Sequence, residues 1–422
     1  MNKITSMRIN FYRKTAIIFT ILLFIGTIVA PITGEVANKY NKGSSEKSVD
    51  LNGDAHFDTF IEWIMKLNCM PSLSACIIKN NSIVWAKAYG LCDIENNKTA
   101  TVDTQYMLGS ISKTITATAL MQLYEKGYFN LDDNVSKFLP FDLKNPNYPN
   151  VNITFRMLLA HQSSLGDRMD LFLTKYPGDP DIPGYPYPLL KDILVPGGKN
   201  YTDKVWTKVR PGEKLHYSNL GYALIGYLVE RISGEKFEEY CKKHIFETLG
   251  MYNTSFRLRD LDIDKIAVPY ELHPKSILFG KLVPFEQYGI FGYPAGSARS
   301  SVIEFSRFII AHMNGGVYNG VRILNETTVK LMHTVQYPDS WFESDFRFYQ
   351  YGLGWEIWKN MHGETFICHS GHHTTSSALV KIRLSDNVAI VYFMNRRVNT
   401  RVSGIMAEHL IAYALFEKAD EL

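Results

Sequence analysis

The sequence predicts a mixed α/β fold of the α+β type, with one antiparallel sheet assembled from both ends of the chain and helices filling the middle. Two observations lead to this prediction. Strand-like runs occur near the start of the globular part and again near the C-terminus. Helical periodicity and loops rich in Pro and Gly occupy the region between them. Because a sheet needs a helical layer to cover its apolar face, the two groups of strands are expected to share one sheet.

The first part of this sheet is predicted by a helix and a hairpin. An amphipathic pattern predicts a helix over residues 57–67. Two β-like runs follow at 74–79 and 82–89, separated by Asn80-Asn81, which tolerates the positive φ of a tight turn.

Helices dominate the middle region. Ile111, Ile115 and Ala119 recur at four-residue steps, which predicts a helix over 110–124 with Gly127 as its C-terminal cap. A second helix is predicted over 220–232 and ends at Ser233-Gly234. The segment 176–211 is dense in Pro, Gly and Tyr and is interpreted as long ordered loops.

Strands are expected to return only near the C-terminus. The predicted elements are a strand at 365–369, a hairpin of 378–384 and 388–394 about Ser385-Asp386-Asn387, and a final helix over 402–417. The sheet part is therefore assigned to about 53–109 and 291–422, and the helical part to about 110–290.

Residues 1–34 are interpreted as an export segment and residues 35–52 as a polar tether to a domain at 53–422. Basic residues ending in Arg13-Lys14 precede an uncharged apolar run over 16–30. This pattern fits a cleaved signal peptide and a membrane-spanning signal anchor equally well, so we expect a protein that is secreted or held at the outer face of the cytoplasmic membrane. Seven N-x-Ser/Thr sequons would permit glycosylation there.

Charge and cysteine usage exclude other classes. The whole chain has a formal net charge of +3, but four of its cations precede the first acidic residue, Glu35. The rest of the chain therefore has a net charge of −1, which gives no electrostatic basis for nucleic-acid binding. The five cysteines form no metal-like cluster and are interpreted as buried free thiols, with one disulfide among the first three as the alternative. No cofactor motif is found, and His372 and His373 are adjacent without the spacing of a metal site. The expected partner is a small-molecule or peptide substrate, and the sequence does not indicate an oligomeric state.

Three short motifs carry the candidate chemistry. In Ser110-Ile111-Ser112-Lys113, helical spacing places the Lys113 amine beside the Ser110 hydroxyl, and a desolvated lysine can activate a serine nucleophile. Ser-x-x-Lys also occurs at Ser44 and Ser233, so this match alone is weak.

The second motif is Tyr217-Ser218-Asn219, ahead of the predicted 220–232 helix. A phenol near a lysine cation can be held partly ionised and can relay a proton, while the Asn219 amide can bind both the lysine and a substrate.

The third motif is His369-Ser370-Gly371 on a late strand. Gly371 lets a substrate approach the strand backbone, and the N–H of His372 is expected to join that of Ser110 as an oxyanion hole.

The order of these motifs and the long stretches around them resemble the β-lactamase-related serine hydrolases, which include class C β-lactamases, D-Ala-D-Ala carboxypeptidases, D-aminopeptidases and related esterases. The matching stretches are YMLGSISKTITATALMQLYEKGYFNLDDNVSKFLP, ITFRMLLAHQSSL, RPGEKLHYSNLGYALIGYLVERISG, PAGSARSS and YGLGW. The resemblance covers roughly residues 55–415 and implies a β-lactamase/transpeptidase-like fold.

The resemblance also implies residue roles. Ser110 would be acylated, Lys113 and Tyr217 would share proton transfer, and Asn219 would orient the substrate. His369 would take the place of the third motif, with the N–H groups of Ser110 and His372 as the oxyanion hole, and no metal would take part.

Two departures bear on the activity. No Lys-Thr-Gly occurs in the chain, and His-x-Gly resembles the peptidase and esterase branches rather than efficient β-lactamases. Ser164 replaces the glycine of the usual His-x-Ser-Gly turn, which puts the shape of that loop in question.

The favoured hypothesis is a hydrolase of small peptides, D-amino-acid amides or esters. The alternatives are a penicillin-binding D-Ala-D-Ala carboxypeptidase or weak class C-like β-lactamase, and a catalytically silent membrane-anchored scaffold of the same fold.

Overall fold

Nine antiparallel strands form the main sheet of the computed structural model, which describes residues 52–273, 281–344, 347–360, 363–398 and 402–422. The strands are β1 (Ser72–Lys79), β2 (Ser82–Asp93), β3 (Lys98–Thr99), β4 (Phe342–Ser344), β5 (Arg347–Tyr351), β6 (Glu356–Lys359), β7 (Thr365–His373), β8 (Ser376–Arg383) and β9 (Val388–Met394). Their order across the sheet is β4-β5-β6-β7-β8-β9-β1-β2-β3. Strands from the two ends of the sequence therefore meet where β9 pairs with β1, which confirms the predicted fold class.

The predicted hairpins follow from their turn residues. Asn80 and Asn81 both have positive φ, at 53° and 58°, and join β1 to β2. Asn387, with φ of 55°, lies in the turn between β8 and β9. Every residue of β9 is buried, as expected for a strand that carries helices on both faces of the sheet.

Ten α-helices lie in the described part of the chain. They are α1 (Asn52–Leu67), α2 (Ser112–Glu125), α3 (Phe155–Leu159), α4 (Met169–Phe172), α5 (Leu189–Leu194), α6 (Asn219–Ser233), α7 (Phe237–Cys241), α8 (Val302–Met313), α9 (Glu326–Met332) and α10 (Val402–Glu421). Side chains of α1 and α10 pack on one face of the sheet, and those of α2, α6 and α8 belong to the larger core on the other.

Helix α2 is the central element of the larger core. All of its residues from Ser112 to Leu123 are buried, so it is enclosed on every side rather than amphipathic. A 3₁₀ turn at Gly109–Ile111 leads into it, and Gly127, with φ of +76°, follows its end as predicted. This burial is what removes Lys113, in the first turn, from water.

The expectation that strands return only near residue 365 was wrong. The structure forms β4, β5 and β6 earlier, and two-stranded pairs also lie in the middle region, such as Tyr270–Leu272 with Leu282–Pro284. These strands are only three to five residues long, which is too short to show a clear alternation of apolar and polar residues. Gly352 and Gly354, between two of them, interrupt the pattern further.

The five cysteines are free thiols, as favoured from the sequence. Cys69 is half-buried and the other four are buried. Within the described ranges, no helix is both long and apolar enough to cross a bilayer. The predicted export segment 1–34 and the predicted tether, apart from Asn52, lie outside the described residues.

Candidate active site

Ser110 and Lys113 lie side by side at the start of α2. Ser110 belongs to the 3₁₀ turn that precedes the helix, and Lys113 points back along it, so that Nζ donates a hydrogen bond to Ser110 Oγ at 3.0 Å. The spacing of three residues produces this contact because it places the two side chains on one face of the turn.

Lys113 is fully buried, and the structure supplies an acceptor for each of its three protons. Besides Ser110, Nζ donates to Asn219 Oδ1 and to the main-chain oxygen of Ala295, both at 2.7 Å. Burial lowers the pKa of Lys113 to about 7, against a smaller upward effect of Asp167 and Glu356. A substantial fraction of the amine is therefore neutral near pH 7 and able to accept the Ser110 proton.

Tyr217 is positioned by a histidine that the sequence motifs did not single out. The His161 ring stacks on the Tyr217 ring with centroids 4.3 Å apart, and His161 Nδ1 accepts a hydrogen bond from the N–H of Ser218. Since Nδ1 is an acceptor and burial lowers the pKa of His161 well below its usual value, this ring is neutral.

The Tyr217 hydroxyl is directed at Ser110, and the Lys113 amine lies 4.9 Å from the centre of its ring. Burial nevertheless raises the pKa of Tyr217 well above its ordinary value, and the charges of Glu356 and Asp167 raise it further. This environment favours the neutral phenol, not the partly ionised form expected from the sequence. This environment suits Tyr217 to donate a proton and Lys113 to accept one.

Asn219 links the lysine to an acidic residue that sequence reasoning missed. Its Oδ1 accepts from Lys113, and its Nδ2 donates to Asp167 Oδ2 at 2.6 Å. Asp167 Oδ1 accepts from the N–H of Leu220 at 3.2 Å, so this carboxylate also caps the first turn of α6. Burial raises the pKa of Asp167, although its hydrogen bonds from Asn219 oppose the shift.

Two glycines allow the 3₁₀ turn to lie directly against β7. A Cβ on Gly371 would fall 1.9 Å from the Leu108 oxygen, and one on Gly109 would fall 2.8 Å from the His372 nitrogen. Strand β6 pairs with β7 only as far as Cys368, so the stretch from His369 to His373 pairs with β8 alone in the described part of the chain. The turn at Gly109 therefore lies against His372 at this edge of β7, where the sequence predicts the oxyanion hole.

His369 takes a different position from the one expected of a substrate-binding residue. Its side chain has no exposed surface and does not line the cleft, and Nδ1 lies 3.8 Å from Glu356 Oε1. Glu356, directly after the YGLGW stretch, does line the cleft, with its side chain only 7% exposed. His369 is therefore connected to the site through Glu356 and the strand backbone. No local sequence pattern marks Glu356 as a site residue.

Ser110 opens into a cleft of about 460 Å³. Its wall is formed by Gly109, Ser110, Asp167, Met169, Phe172, Leu173, Tyr217, Asn219, Ile290, Ala295, Gly296, Tyr349, Glu356, Ser370, His372, His373 and Arg397. The segment 176–211, interpreted from the sequence as long ordered loops, contributes none of these residues, whereas α4 and the residue after it contribute three apolar side chains. Within the described ranges, no group of three or more His, Cys, Asp or Glu side chains is arranged to hold a metal ion.

The turn at Ser164 has a left-handed backbone, the conformation for which glycine is favoured. Its φ is +59°, and its hydroxyl accepts a hydrogen bond from Asn145 Nδ2 at 2.9 Å. Asn145 is fully buried and also donates to the Thr207 oxygen. The hydrogen bond to Asn145 holds the Ser164 side chain in place, so serine is accommodated in the left-handed region at this turn.

Comparison with known proteins places these residues in context. A family model described as Beta-lactamase matches residues 57–414, which include every residue of the candidate site. Protein flp of Staphylococcus aureus strain MW2 is 24% identical over 361 residues, covering 84% of this chain and 65% of its own length. Beta-lactamase-like protein 2 of Dictyostelium discoideum is 30% identical over 276 residues, covering 64% of this chain and 47% of its own length. The chain thus spans less than two thirds of the length of these curated relatives.

Solved structures share the fold. The octameric penicillin-binding protein homologue from Pyrococcus abyssi superposes with a TM-score of 0.66 at 27% identity, covering 87% of this chain and 78% of its own. D-amino acid amidase from Ochrobactrum anthropi SV3, in complex with L-phenylalanine amide, gives 0.67 at 19% identity, with 86% and 99% covered. The penicillin-binding protein from Bacillus halodurans gives 0.62 at 23% identity, with 86% and 98% covered. At these identities the last two show the fold alone.

Proposed function

The chain belongs to the β-lactamase family of serine hydrolases, and from that premise we propose that it hydrolyses small peptides, D-amino-acid amides or esters through an acyl-enzyme on Ser110. The observation that carries this proposal is the contact between Lys113 Nζ and Ser110 Oγ, because the same lysine is buried and its pKa is lowered to about 7. A serine in this setting has a neighbouring base of which a substantial fraction is neutral near pH 7.

The first half of the reaction transfers the acyl group to the enzyme. Neutral Lys113 takes the proton of Ser110, and Oγ attacks the substrate carbonyl carbon. The N–H groups of Ser110 and His372 bind the oxygen on which negative charge develops. Tyr217 then gives its proton to the leaving amine or alcohol and recovers one from protonated Lys113, so the carbon–nitrogen or carbon–oxygen bond breaks and an ester on Ser110 remains.

The second half uses the same groups in reverse. A water molecule gives its proton through Tyr217 and Lys113 and attacks the ester carbonyl carbon. Ser110 leaves with a proton, and the product is released as a carboxylic acid. Asp167 and Glu356 stabilise the positive charge that Lys113 carries between these proton transfers, since both raise its pKa.

The decisive experiment is intact-mass measurement of the full chain after treatment with a broad fluorophosphonate. Wild type is expected to gain a single adduct, and Ser110→Ala is expected to gain none. Release of ammonia or alcohol from a panel of D-amino-acid amides and esters then identifies the reaction. A folded wild type without any adduct would overturn the mechanism and favour the silent-scaffold alternative.

A second candidate is a penicillin-binding carboxypeptidase or weak class C-like β-lactamase, which the likeness to penicillin-binding proteins favours. Burial of His369 weighs against efficient β-lactam hydrolysis, because this side chain is withdrawn from the place where a lysine would meet a substrate carboxylate. Stable labelling by a fluorescent penicillin would support the carboxypeptidase, and rapid turnover of a chromogenic cephalosporin would support the β-lactamase.

We also propose that the enzyme acts outside the cytoplasm. The proposal rests on the basic and apolar pattern of residues 1–34 and on the sequons. The sequon asparagines Asn80, Asn97 and Asn200 are exposed, so the folded domain would accept glycans there. Cell fractionation followed by protease treatment of intact cells tests this location, and full protection of the protein in the cytosolic fraction would overturn it.

A further inference from the structure

The cleft contains a carboxylate whose surroundings suit a positively charged ligand group. Asp167 lines the cleft, and its carboxylate accepts two hydrogen bonds, from Asn219 Nδ2 and from the N–H of Leu220. Both donors are neutral. A carboxylate offers about four acceptor positions, so two remain for a ligand.

No cation neutralises Asp167 directly in the part of the chain that the structure describes. No lysine, arginine or histidine nitrogen lies within 4 Å of it there, whereas Asp170, three residues later, is paired with Arg168. Lys113 acts on Asp167 through space, but its protons are bound by Ser110, Asn219 and Ala295. Arg397, His372 and His373 line the same cleft, but none of their nitrogens lies within 4 Å of Asp167 in the described structure. When Lys113 is neutral, as acylation requires, the Asp167 carboxylate therefore has no cation in contact with it among the described residues.

Apolar side chains adjoin the carboxylate. Met169 lies beside Asn219, with Sδ 3.9 Å from Nδ2, and Phe172 and Leu173 continue the same wall of the cleft. Phe172 is buried and packs edge-on against Phe291 with ring centroids 5.3 Å apart, so its ring is held by the core, whereas Met169 and Leu173 are exposed. A ligand that contacts Asn219 therefore meets a negative charge and an apolar surface at once.

From this juxtaposition we infer that Asp167 binds the free α-ammonium group of the residue whose carbonyl is attacked, while Met169, Phe172 and Leu173 receive its apolar side chain. The inference rests on the proposed function and narrows it to amides and esters of apolar α-amino acids with an unblocked amino group. An ammonium group in a partly buried site gains from a charged acceptor and is costly to place without one.

The test compares substrates that differ only at the amino group. D-phenylalanine amide carries the ammonium, and 3-phenylpropanamide lacks it. Wild type is expected to prefer the first by about 10²-fold in kcat/KM, because truncating one partner of a buried charge pair has an effect of about this size. N-acetyl-D-phenylalanine amide, whose nitrogen is uncharged, is expected to behave like 3-phenylpropanamide.

Asp167→Asn is expected to lower kcat/KM for D-phenylalanine amide about 10²-fold more than for 3-phenylpropanamide, mainly through KM. Asp170→Asn removes an equal charge three residues away, at an exposed position outside the cleft, and is expected to retain the wild-type preference. Thermal denaturation of both variants establishes that they are folded.

Equal turnover of the amine and the des-amino substrate by wild type would overturn the inference without any variant. So would an equal loss on both substrates in Asp167→Asn, which would assign the carboxylate to positioning Asn219 and Lys113. Failure of the proposed function has a different signature, since Ser110 would then gain no fluorophosphonate adduct and no ester would be hydrolysed.

Discussion

The Nζ atom of Lys113 lies 3.0 Å from Oγ of Ser110, and its other two protons are held by Asn219 and Ala295. The amine therefore cannot swing away from the serine when it changes protonation state. In the proposed mechanism only the proton facing Ser110 is exchanged, while the other two contacts hold the nitrogen in place.

The rate of Ser110 modification is therefore expected to depend on pH through Lys113. Burial lowers the pKa of this amine to about 7, and the neutral amine is the base in the proposed mechanism. The second-order rate of fluorophosphonate modification should rise with pH, pass its midpoint near 7, and level off above it. Stopped-flow or quenched mass measurements between pH 5 and 9 check this prediction.

Lys113→Arg is the matched control for this profile, because arginine keeps its proton throughout the range. Its rate should be lower by about 10²–10⁴-fold at every pH, the usual contribution of a general base. A wild-type profile that is flat over this range, or one with a midpoint near the ordinary lysine pKa, would contradict the assignment of Lys113 as the base.

Elements with a continuous local pattern could be predicted from the sequence. Helix α2, helix α6 and the hairpin of β8 and β9 each combine a long apolar run with a turn residue of suitable φ, such as Gly127, Gly234 or Asn387. Ser110, Lys113, Tyr217 and Asn219 follow from motifs in a fixed order along the chain, and the structure brings these four together.

The remaining site residues depend on contacts between distant segments. Asp167 meets Asn219 across 52 positions of sequence, and Glu356 approaches His369 from a neighbouring strand of only four residues. An isolated carboxylate has no periodicity, so nothing local marks either residue. The orientation of His369 could not be predicted either, because the face of the sheet on which a side chain lies depends on the register of its strand.

Substitutions at Ser164 should separate its backbone role from its hydrogen bond. Ser164→Ala keeps the left-handed conformation but removes the acceptor for buried Asn145, so it should lower the free energy of unfolding by about 1–2 kcal/mol. Ser164→Gly also loses that hydrogen bond but relieves about 1 kcal/mol of backbone strain. Urea denaturation of both variants should therefore find the glycine variant about 1 kcal/mol more stable than the alanine variant. The opposite order would show that the left-handed turn is not under strain.

Close approach of the turn at Gly109 to β7 should be required for acylation. Gly109→Ala would place a methyl group 2.8 Å from the His372 nitrogen and push the Ser110 and His372 N–H groups apart. The rate of fluorophosphonate modification is expected to fall by about 10²–10³-fold, as for loss of an oxyanion donor. Gly127→Ala is the control, because Gly127 also has positive φ but no atom lies within 4 Å of the added methyl group. If both variants lose activity equally, backbone strain and not the approach to β7 is responsible.

Tyr217→Phe should affect substrates according to their leaving groups. A neutral phenol protonates the leaving atom, and an amine cannot leave without that proton, whereas p-nitrophenolate can. The variant should therefore lose about 10²–10⁴-fold in amide hydrolysis and much less in acylation by a p-nitrophenyl ester of the same acid. Burst kinetics with the matched amide and ester measure both effects.

Tyr222→Phe is the control, because it removes another buried hydroxyl, which donates to the Leu159 oxygen. This variant should be less stable but should not change the ratio of the amide rate to the ester rate. An equal loss on amide and ester in Tyr217→Phe would mean that the hydroxyl acts in activating Ser110 and not in releasing the leaving group.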